Sequence, residues 1–250
     1  MFVIEGINDL RTLSDVIGGE LYSNNESFTG ITTDSREEVN GGVYLALKGE
    51  SFDGDIFCKD AIDNGSIAVI TDNPETLGRF ILVKDTYDAL LKIASHHHKQ
   101  LNPKTIAITG SNGKTSVKEM MGKILDSDKT VITKSNENNQ FGIPYTILRC
   151  KSSTENLVLE CGARHDGDFK KIAEHFEFDQ LVITNINNSH VGIFGSVKNI
   201  IRTKLELIKA VKDSGNIIEA AFKDLSKNRE LSSKTNEIKL YDINDLDLKT

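Results

Sequence analysis

The stretch TIAITGSNGKTSVKEMMGKI, residues 105–124, joins an apolar run to a glycine-containing loop and then to a helical pattern. Its first five residues predict a buried strand. Beyond the loop, four apolar residues recur at the spacing of one helix face: Val117, Met120, Met121 and Ile124. We therefore expect a helix that begins at Lys114 and packs on a sheet through these side chains.

The loop GSNGKTS, residues 110–116, opens at the amino terminus of that helix. Unpaired N–H groups and the helix dipole favour anions there, and glycines let the backbone approach phosphate oxygens. Lys114 adds positive charge, and Thr115 can ligate magnesium. The general P-loop pattern needs a glycine where this chain has Ile108, yet the order of strand, loop and helix favours a nucleoside triphosphate over an ordinary turn. The predicted contacts are Gly110, Ser111, Asn112, Gly113, Lys114, Thr115 and Ser116.

The rest of the chain predicts an α/β protein with two domains. Residues 1–100 read as short strands, turns and a few helices, which indicates a small mixed α/β domain, and Pro103 marks the boundary. In residues 101–250 apolar strands alternate with amphipathic helices, including one expected over 196–212. That rhythm predicts a mostly parallel sheet covered on both faces, and with the loop at residues 110–116 we expect a P-loop-type ATP-binding domain. A further helix is expected around 224–232.

Several polar residues fall where predicted strands end. Asn138 and Asn139 follow TVITK, Glu160 ends NLVLE, and His190 follows LVITNI. Parallel strands bring such residues to one carboxyl edge beside the phosphate loop. Glu160 and His190 can then ligate magnesium, and an asparagine amide can touch phosphate or metal. Taken singly, each also fits an ordinary turn or strand end.

Lys204 is placed unusually. On a helical wheel it lies within an apolar stripe formed by Val197, Ile200, Ile201, Leu205, Ile208 and Val211. One interpretation is a buried stem whose ammonium reaches water. The other is a functional lysine directed into the crevice, with a lowered pKa. The wheel alone leaves both open.

Composition and charge limit the classes of partner that the chain is expected to bind. The 250-residue chain has a formal net charge of −7, which argues against generic binding to nucleic acid or anionic lipid. It has no run long enough to span a membrane, and its three widely spaced cysteines argue against a disulfide framework. We expect a cytoplasmic protein. The run of His96, His97 and His98 is expected at the surface, because neighbouring ring directions on a helix diverge.

Five motifs in order resemble the Mur ligases, the ATP-dependent amide-forming enzymes of peptidoglycan assembly. They are TDSREEVNGGVYLALKGESFDG, ITGSNGKTSVKE, NENNQFGIPYTILR, LECGARHDGDF, and TNINNSHVGIFGS followed by TKLELI. The asparagine-rich and ECGARHDGDF segments look most like the member that joins D-alanyl-D-alanine to UDP-N-acetylmuramoyl-tripeptide. The resemblance runs from about Phe28 to Lys209.

The resemblance implies a role for each matching residue. Lys114 would bind the ATP phosphates, Thr115 and Glu160 would hold Mg²⁺, and Asn138 or Asn139 with His190 would complete the site. Lys204 matches a lysine that carbon dioxide carbamylates in this family, which makes it a carboxylate-like metal ligand. The segments that cradle the uridine diphosphate of the substrate match Thr33, Asp34, Ser35, Arg36, Lys48, Asp53 and Gly54. Without the family, an Asx turn with a surface ion pair is the simpler interpretation of TDSR.

The chain also departs from the family pattern. It stops at Thr250, where members continue, so we expect the central domain to be incomplete and the carboxy-terminal domain to be absent or supplied by a separate chain. The acidic residue usual after the site histidine is Val191 here, and an adenine-side Asn-x-Asp-Asp signature is missing. Three hypotheses follow: a ligase represented by two of its domains, a non-catalytic module that binds nucleotide and UDP-sugar, and an ATPase or phosphotransferase without amide chemistry.

Overall fold

The computed structural model describes residues 1–49, 52–135, 137–163, 165, 167–185 and 196–219, with the backbone alone at 197, 198 and 219. The chain divides into two compact units, Met1–Leu101 and Asn102–Thr250. Among the described residues, no helix combines the length and apolar composition that crossing a bilayer requires. Each unit is built around a five-stranded sheet.

The first unit is a small mixed α/β domain, as predicted. Its sheet has the order β1-β5-β4-β3-β2, in which β1 pairs antiparallel with β5 and all other pairs are parallel. One core cluster joins Tyr44, Ala46, Val69 and Phe80 of the sheet region to Ala61 of a helix. The elements are α1 (Leu10–Ile17), β1 (Glu20–Tyr22), β2 (Ile31–Thr32), β3 (Gly42–Leu45), α2 (Cys58–Asp63), β4 (Ser66–Thr71), β5 (Phe80–Leu82) and α3 (Thr86–Leu101).

The second unit carries the parallel sheet that the alternating pattern predicted. Its order is β10-β9-β6-β8-β7, and every pair is parallel. The elements are β6 (Lys104–Thr109), α4 (Lys114–Ile124), β7 (Thr130–Ile132), α5 (Gly142–Leu148), β8 (Asn156–Glu160), α6 (Asp168–His175), β9 (Phe178–Ile183), α7 (Val197–Glu206) and β10 (Val211–Glu219). After β6 the chain forms β7 and β8 on one side of that strand and then β9 and β10 on the other side. The carboxyl end of β6 is therefore the point where strand order reverses, which is where such sheets bind ligands.

Both faces of this second sheet are buried. Ile106, Ile108, Val158 and Val182 form a cluster against which Val117 and Met121 of α4 pack. The residues between them on the strands point to the opposite face, because side chains alternate along a strand. Those residues are fully buried as well: Ala107, Leu157, Leu159, Leu181 and Ile183.

Three sequence-based expectations were wrong in detail. The apolar stripe of α4 is narrower than predicted, since Met120 and Ile124 are 61% and 79% exposed. The helix expected over 196–212 ends at Glu206, and a 3₁₀ turn, Leu207–Ala210, leads into β10. His97 and His98 are buried rather than at the surface, and the backbone N–H of Glu5 donates to Nδ1 of His97 over 2.9 Å. The helix expected around 224–232 lies outside the described residues.

Candidate functional site

The loop after β6 has a backbone that requires its two glycines. Gly110 has a φ of 148°, and a Cβ there would lie 1.9 Å from Oγ1 of Thr184. Gly113, with a φ of 80°, is the N-cap residue of α4, and no side chain caps that end. Both positions use the left-handed half of backbone space that glycine enters most readily. The result is a helix amino terminus whose first-turn N–H groups are available to an anion.

The loop is anchored by residues that follow the neighbouring strand β9. Oγ1 of Thr184 donates to the carbonyl of Asn112 over 2.6 Å. The backbone N–H of Ser111 donates to the carbonyl of Asn185 over 2.8 Å, and that of Asn112 to Oδ1 of Asn185 over 2.9 Å. These bonds fix the loop but occupy two of its N–H groups. The donors left for a phosphate therefore lie from Gly113 onward, at the start of α4.

Two lysine amines converge on one carbonyl of the loop. Nζ of Lys114 donates to the carbonyl oxygen of Gly110 over 2.8 Å, and Nζ of Lys204 donates to the same oxygen over 3.0 Å. Burial lowers the pKa of Lys204 to about 8, and the positive charge of Lys114 acts in the same direction. Burial also lowers the pKa of Lys114. The amine of Lys204 thus contacts the loop after β6, and the side chain is buried.

Glu160 stands at the carboxyl end of β8 and is 1% exposed. Its Oε1 accepts hydrogen bonds from Oγ1 of Thr115 over 3.0 Å and from Nδ2 of Asn138 over 2.8 Å. Its own backbone N–H donates to Oγ1 of Thr133 over 3.0 Å. Three elements of the sheet edge thus bring a hydroxyl, an amide and a carboxylate to one point.

The donor set fits a magnesium ion that also binds phosphate. A 3.0 Å hydrogen bond joins Oγ1 of Thr115 to Oε1 of Glu160, so a hydroxyl and a carboxylate oxygen, both ligands that Mg²⁺ accepts, lie side by side. Within the described ranges, no group of three or more histidine, cysteine, aspartate or glutamate side chains is arranged to hold a metal. A site with one carboxylate suits Mg²⁺, which keeps several waters and takes substrate phosphate oxygens.

The remaining predicted residues of this unit have separate positions. Oδ1 of Asn139 accepts from the backbone N–H groups of Phe141 and Gly142 over 3.1 and 2.9 Å, at the start of α5. Its carboxamide oxygen is therefore engaged in a turn, and Asn138 is the asparagine that contacts Glu160. Ser116 is exposed on the first turn of α4. His190 lies outside the described residues.

Lys118 is a site residue that sequence reasoning missed. It is 0% exposed, and its Nζ lies 3.8 Å from Oε2 of Glu160 and 2.9 Å from Oε1 of Glu119. Its spacing could have identified it, because Lys118 is three residues after Thr115 and four after Lys114 and therefore lies on the same face of the helix. Thr184 and Asn185 were also missed, and their signal was their place just after the strand LVI.

In the first unit, the TDSR segment forms an Asx turn with an exposed ion pair. Nε and Nη2 of Arg36 each donate to the carboxylate of Asp34 over 2.8 Å, and the hydrogen bond from the Arg36 side chain lowers the pKa of Asp34 to about 2. Thr33 is half-buried. Ser35 is buried, and its carbonyl accepts from the Asn64 amide over 2.8 Å.

The second predicted substrate segment lies beside β3 and β4. Nζ of Lys48 pairs with Oδ1 of Asp72 at 2.5 Å and lies 3.8 Å from Oδ2 of Asp53. Gly54 packs so closely that a Cβ there would lie 2.6 Å from the carbonyl oxygen of Leu47. The two segments therefore offer a guanidinium and an ammonium, both already paired with carboxylates of the same unit.

Comparison with known proteins identifies the family. The family model "Mur ligase middle domain" matches residues 108–249, and "Mur ligase family, catalytic domain" matches residues 27–129. The UDP-N-acetylmuramoyl-tripeptide--D-alanyl-D-alanine ligase of Bacillus subtilis is 34% identical in a 227-residue alignment that covers 88% of this chain and 50% of the relative. That of Escherichia coli is 33% identical, over 82% of this chain and 46% of the relative.

Solved structures agree with the sequence relatives. The crystal structure of MurF from Acinetobacter baumannii superposes with a TM-score of 0.83 at 30% identity, covering 93% of this chain and 52% of that one. MurF ligase from Thermotoga maritima in complex with ADP superposes with a TM-score of 0.73 at 27% identity, covering 91% and 51%. The chain spans about half the length of the curated relatives it matches. With more than half of its residues matched by the middle-domain model, the chain belongs to the Mur ligase family.

Proposed function

We propose that this chain provides the ATP-binding and UDP-substrate-binding parts of a ligase that joins D-alanyl-D-alanine to UDP-N-acetylmuramoyl-tripeptide. The observation that carries the proposal is the meeting of Thr115, Asn138 and Glu160 at the sheet edge, next to a loop on which Lys114 and Lys204 converge. The names of the relatives supply the reaction. ATP and Mg²⁺ are the proposed cofactors, and the Thermotoga maritima ligase, whose crystal structure is a complex with ADP, supports a nucleotide.

In the proposed reaction, ATP phosphorylates the substrate carboxylate, and the dipeptide amine attacks the acyl phosphate to release inorganic phosphate. First-turn N–H groups of α4 and the ammonium of Lys114 hold the triphosphate and stabilise charge that develops on the transferred group. Thr115 and Glu160 would hold the magnesium ion, which would neutralise phosphate charge, and the amide of Asn138 positions the Glu160 carboxylate. His190 is proposed to complete this set by the family resemblance. No covalent protein nucleophile takes part.

Lys204 is proposed to be the carbamylated lysine of the family. Its burial and the neighbouring ammonium of Lys114 both favour the neutral amine, which is the form that attacks carbon dioxide. Incubation with ¹³C-bicarbonate should give a carbamate carbon signal that Lys204→Met lacks. An identical signal in both proteins would remove Lys204 from this role.

The first unit is proposed to bind the uridine-diphosphate end of the substrate through TDSR and the segment from Lys48 to Gly54. Once released from Asp34, the planar guanidinium of Arg36 can donate two parallel hydrogen bonds to a phosphate. The ammonium of Lys48, in the segment that also contains Asp53, adds a second positive charge. Both cations must exchange a carboxylate partner for the ligand. We therefore expect Asp34→Asn and Asp72→Asn to tighten binding of UDP-N-acetylmuramate, as calorimetry would measure.

Nucleotide binding is tested by titrating the chain with a non-hydrolysable ATP analogue and magnesium. The Lys114→Ala variant should lose binding, whereas Lys123→Ala, an exposed lysine on the same helix, should bind like the parent. Failure of the parent chain to bind would overturn the proposed site. Equal binding by Lys114→Ala would overturn the role given to the loop.

Amide formation is tested in a second experiment that supplies the remaining part of a relative, because the relatives are about twice as long as the matched region. The chain would be mixed with the carboxy-terminal half of the Bacillus subtilis relative, ATP, UDP-N-acetylmuramoyl-tripeptide and D-alanyl-D-alanine. Product that depends on both halves supports the ligase. Nucleotide binding without product would favour the non-catalytic module, and ATP hydrolysis that ignores the muropeptide would favour an ATPase or phosphotransferase.

A further inference from the structure

Lys118 is a buried lysine to which the proposed reaction gives no role. Its side chain is 0% exposed in the interface between α4 and the sheet. Its Nζ forms an ion pair with Oε1 of Glu119 at 2.9 Å and faces Oε2 of Glu160 at 3.8 Å, an oxygen that receives no hydrogen bond among the described residues. A buried ammonium is costly unless an opposite charge compensates it. The position therefore needs an electrostatic explanation.

The two carboxylate oxygens of Glu160 face different side chains on the same side of α4. Thr115 donates to Oε1, and Lys118, one turn further along α4, faces Oε2. Asn138 adds a second hydrogen bond to Oε1. The carboxylate is thus held by neutral donors on the oxygen that fits the cation site, and by a fixed positive charge on the other. Glu119, which is about half exposed, shares the ammonium at 2.9 Å.

We propose that Lys118 is a positioning residue that acts as the resident counter-cation of Glu160. In the metal-free chain it balances the charge of a carboxylate that is 1% exposed, and it keeps Oε1 turned towards Thr115. A free divalent cation must then bind to a carboxylate that is already partly neutralised. A cation that arrives with nucleotide phosphates brings further ligands and overcomes that barrier. Lys118 would therefore make cation binding depend on the nucleotide.

This inference rests on the proposed magnesium and nucleotide site, and Mn²⁺ is a direct probe because its binding is read by electron paramagnetic resonance without any turnover. Lys118→Met keeps the buried stem and removes the charge. We expect it to bind Mn²⁺ alone about tenfold more tightly than the parent, well within what Coulomb's law allows for unit charges 3.8 Å apart in a partly buried site. Lys123→Met, an exposed lysine of the same helix, is the matched control and should bind Mn²⁺ like the parent.

A second variant does not depend on how the core tolerates methionine. Glu119→Gln changes a half-exposed side chain and leaves the ammonium to Glu160 alone, so Mn²⁺ should bind several-fold more weakly without nucleotide. In the Lys118→Met background the same change should have no further effect on the affinity, because its influence passes through Lys118. Melting curves would show that each variant folds, and Mn²⁺ should raise the melting temperature of Lys118→Met more than that of the parent.

The outcomes separate this inference from the proposed function. If the parent binds Mn²⁺ with the ATP analogue but Lys118→Met binds free Mn²⁺ no more tightly than the parent, the counter-cation role is wrong and the site remains. Unchanged affinity in Glu119→Gln would refute it too. If the parent binds no Mn²⁺ even with nucleotide, the proposed site itself fails.

Discussion

The lowered pKa of Lys204 predicts a pH dependence of stability that one substitution removes. Burial first, and then the charge of Lys114, lower this pKa from the ordinary 10.5 to about 8. Below about pH 8 the amine carries a proton in both the folded and the unfolded chain. Between about pH 8 and 10.5 the unfolded chain binds a proton that the folded chain has lost, so the free energy of unfolding rises with pH.

The magnitude follows from the width of that window. The slope is about 1.4 kcal/mol per pH unit over about 2.5 pH units, so the full effect is about 3 kcal/mol, of which about 2 kcal/mol falls between pH 8 and pH 10. Lys204→Met cannot titrate and should lack this rise. Lys209→Met, an exposed lysine that follows α7, should keep it.

Two buried thiols make the measurement specific to the second unit. Cys150 and Cys161 are 4% and 0% exposed, and alkylation in a urea series, read by mass spectrometry, reports when each becomes accessible. The parent and both variants would be compared at pH 8 and pH 10 in carbon-dioxide-free buffer, which keeps the amine unmodified. If the unfolding free energies of the parent and of Lys204→Met rise equally between these pH values, the pKa argument is refuted.

Three other substitutions test separate contacts. Thr115→Val removes one oxygen of the candidate cation site and should weaken magnesium-dependent binding of the ATP analogue at least about tenfold by calorimetry, whereas Thr115→Ser should bind like the parent. Gly110→Ala should lower the free energy of unfolding by several kcal/mol, because the new Cβ would clash with Thr184. Gly167→Ala is the control: this glycine also has a positive φ but has open space around it, so the change should cost about 1 kcal/mol. Equal melting temperatures of the two variants would contradict this prediction. His97→Phe leaves the N–H of Glu5 without its acceptor and should cost about 1–3 kcal/mol, and an unchanged melting temperature would show that the bond contributes nothing.

The parallel sheet and the position of the loop could be predicted from sequence because they depend on local order. Apolar strands followed by loops and amphipathic helices have few alternative arrangements, and strand ends then meet at one edge. Glu160 was found in this way, since it ends its strand and lies opposite Ile108 of β6. The same logic brings Asn138 to the edge but cannot tell it from Asn139, because the choice depends on which carboxamide caps the turn before α5.

Other features depend on contacts that no local pattern encodes. Ile208 and Val211 continue the apolar phase of α7, and no glycine or proline stops the helix, yet Val211 pairs with Phe178 in the sheet. His97 is buried because the N-terminal segment supplies a donor from a residue 92 positions away. Met120 and Ile124 are exposed because the apolar residues of α4 that pack on the sheet are Val117 and Met121, on another face of the helix.

The positive charges around the loop explain how a chain with a net charge of −7 can bind a polyanion. Among the described residues at the sheet edge, Lys114, Lys118 and Lys204 bring three amines to a site with one deeply buried carboxylate, Glu160. Two of these amines donate to a single carbonyl oxygen, and burial, followed by the charge of Lys114, lowers the pKa of Lys204. A bound triphosphate would supply the negative charge that this arrangement lacks and would favour the protonated amine again. Nucleotide binding and the neutral form of Lys204 therefore oppose each other, so carbon dioxide should react with Lys204 more readily in the nucleotide-free chain than in the nucleotide complex.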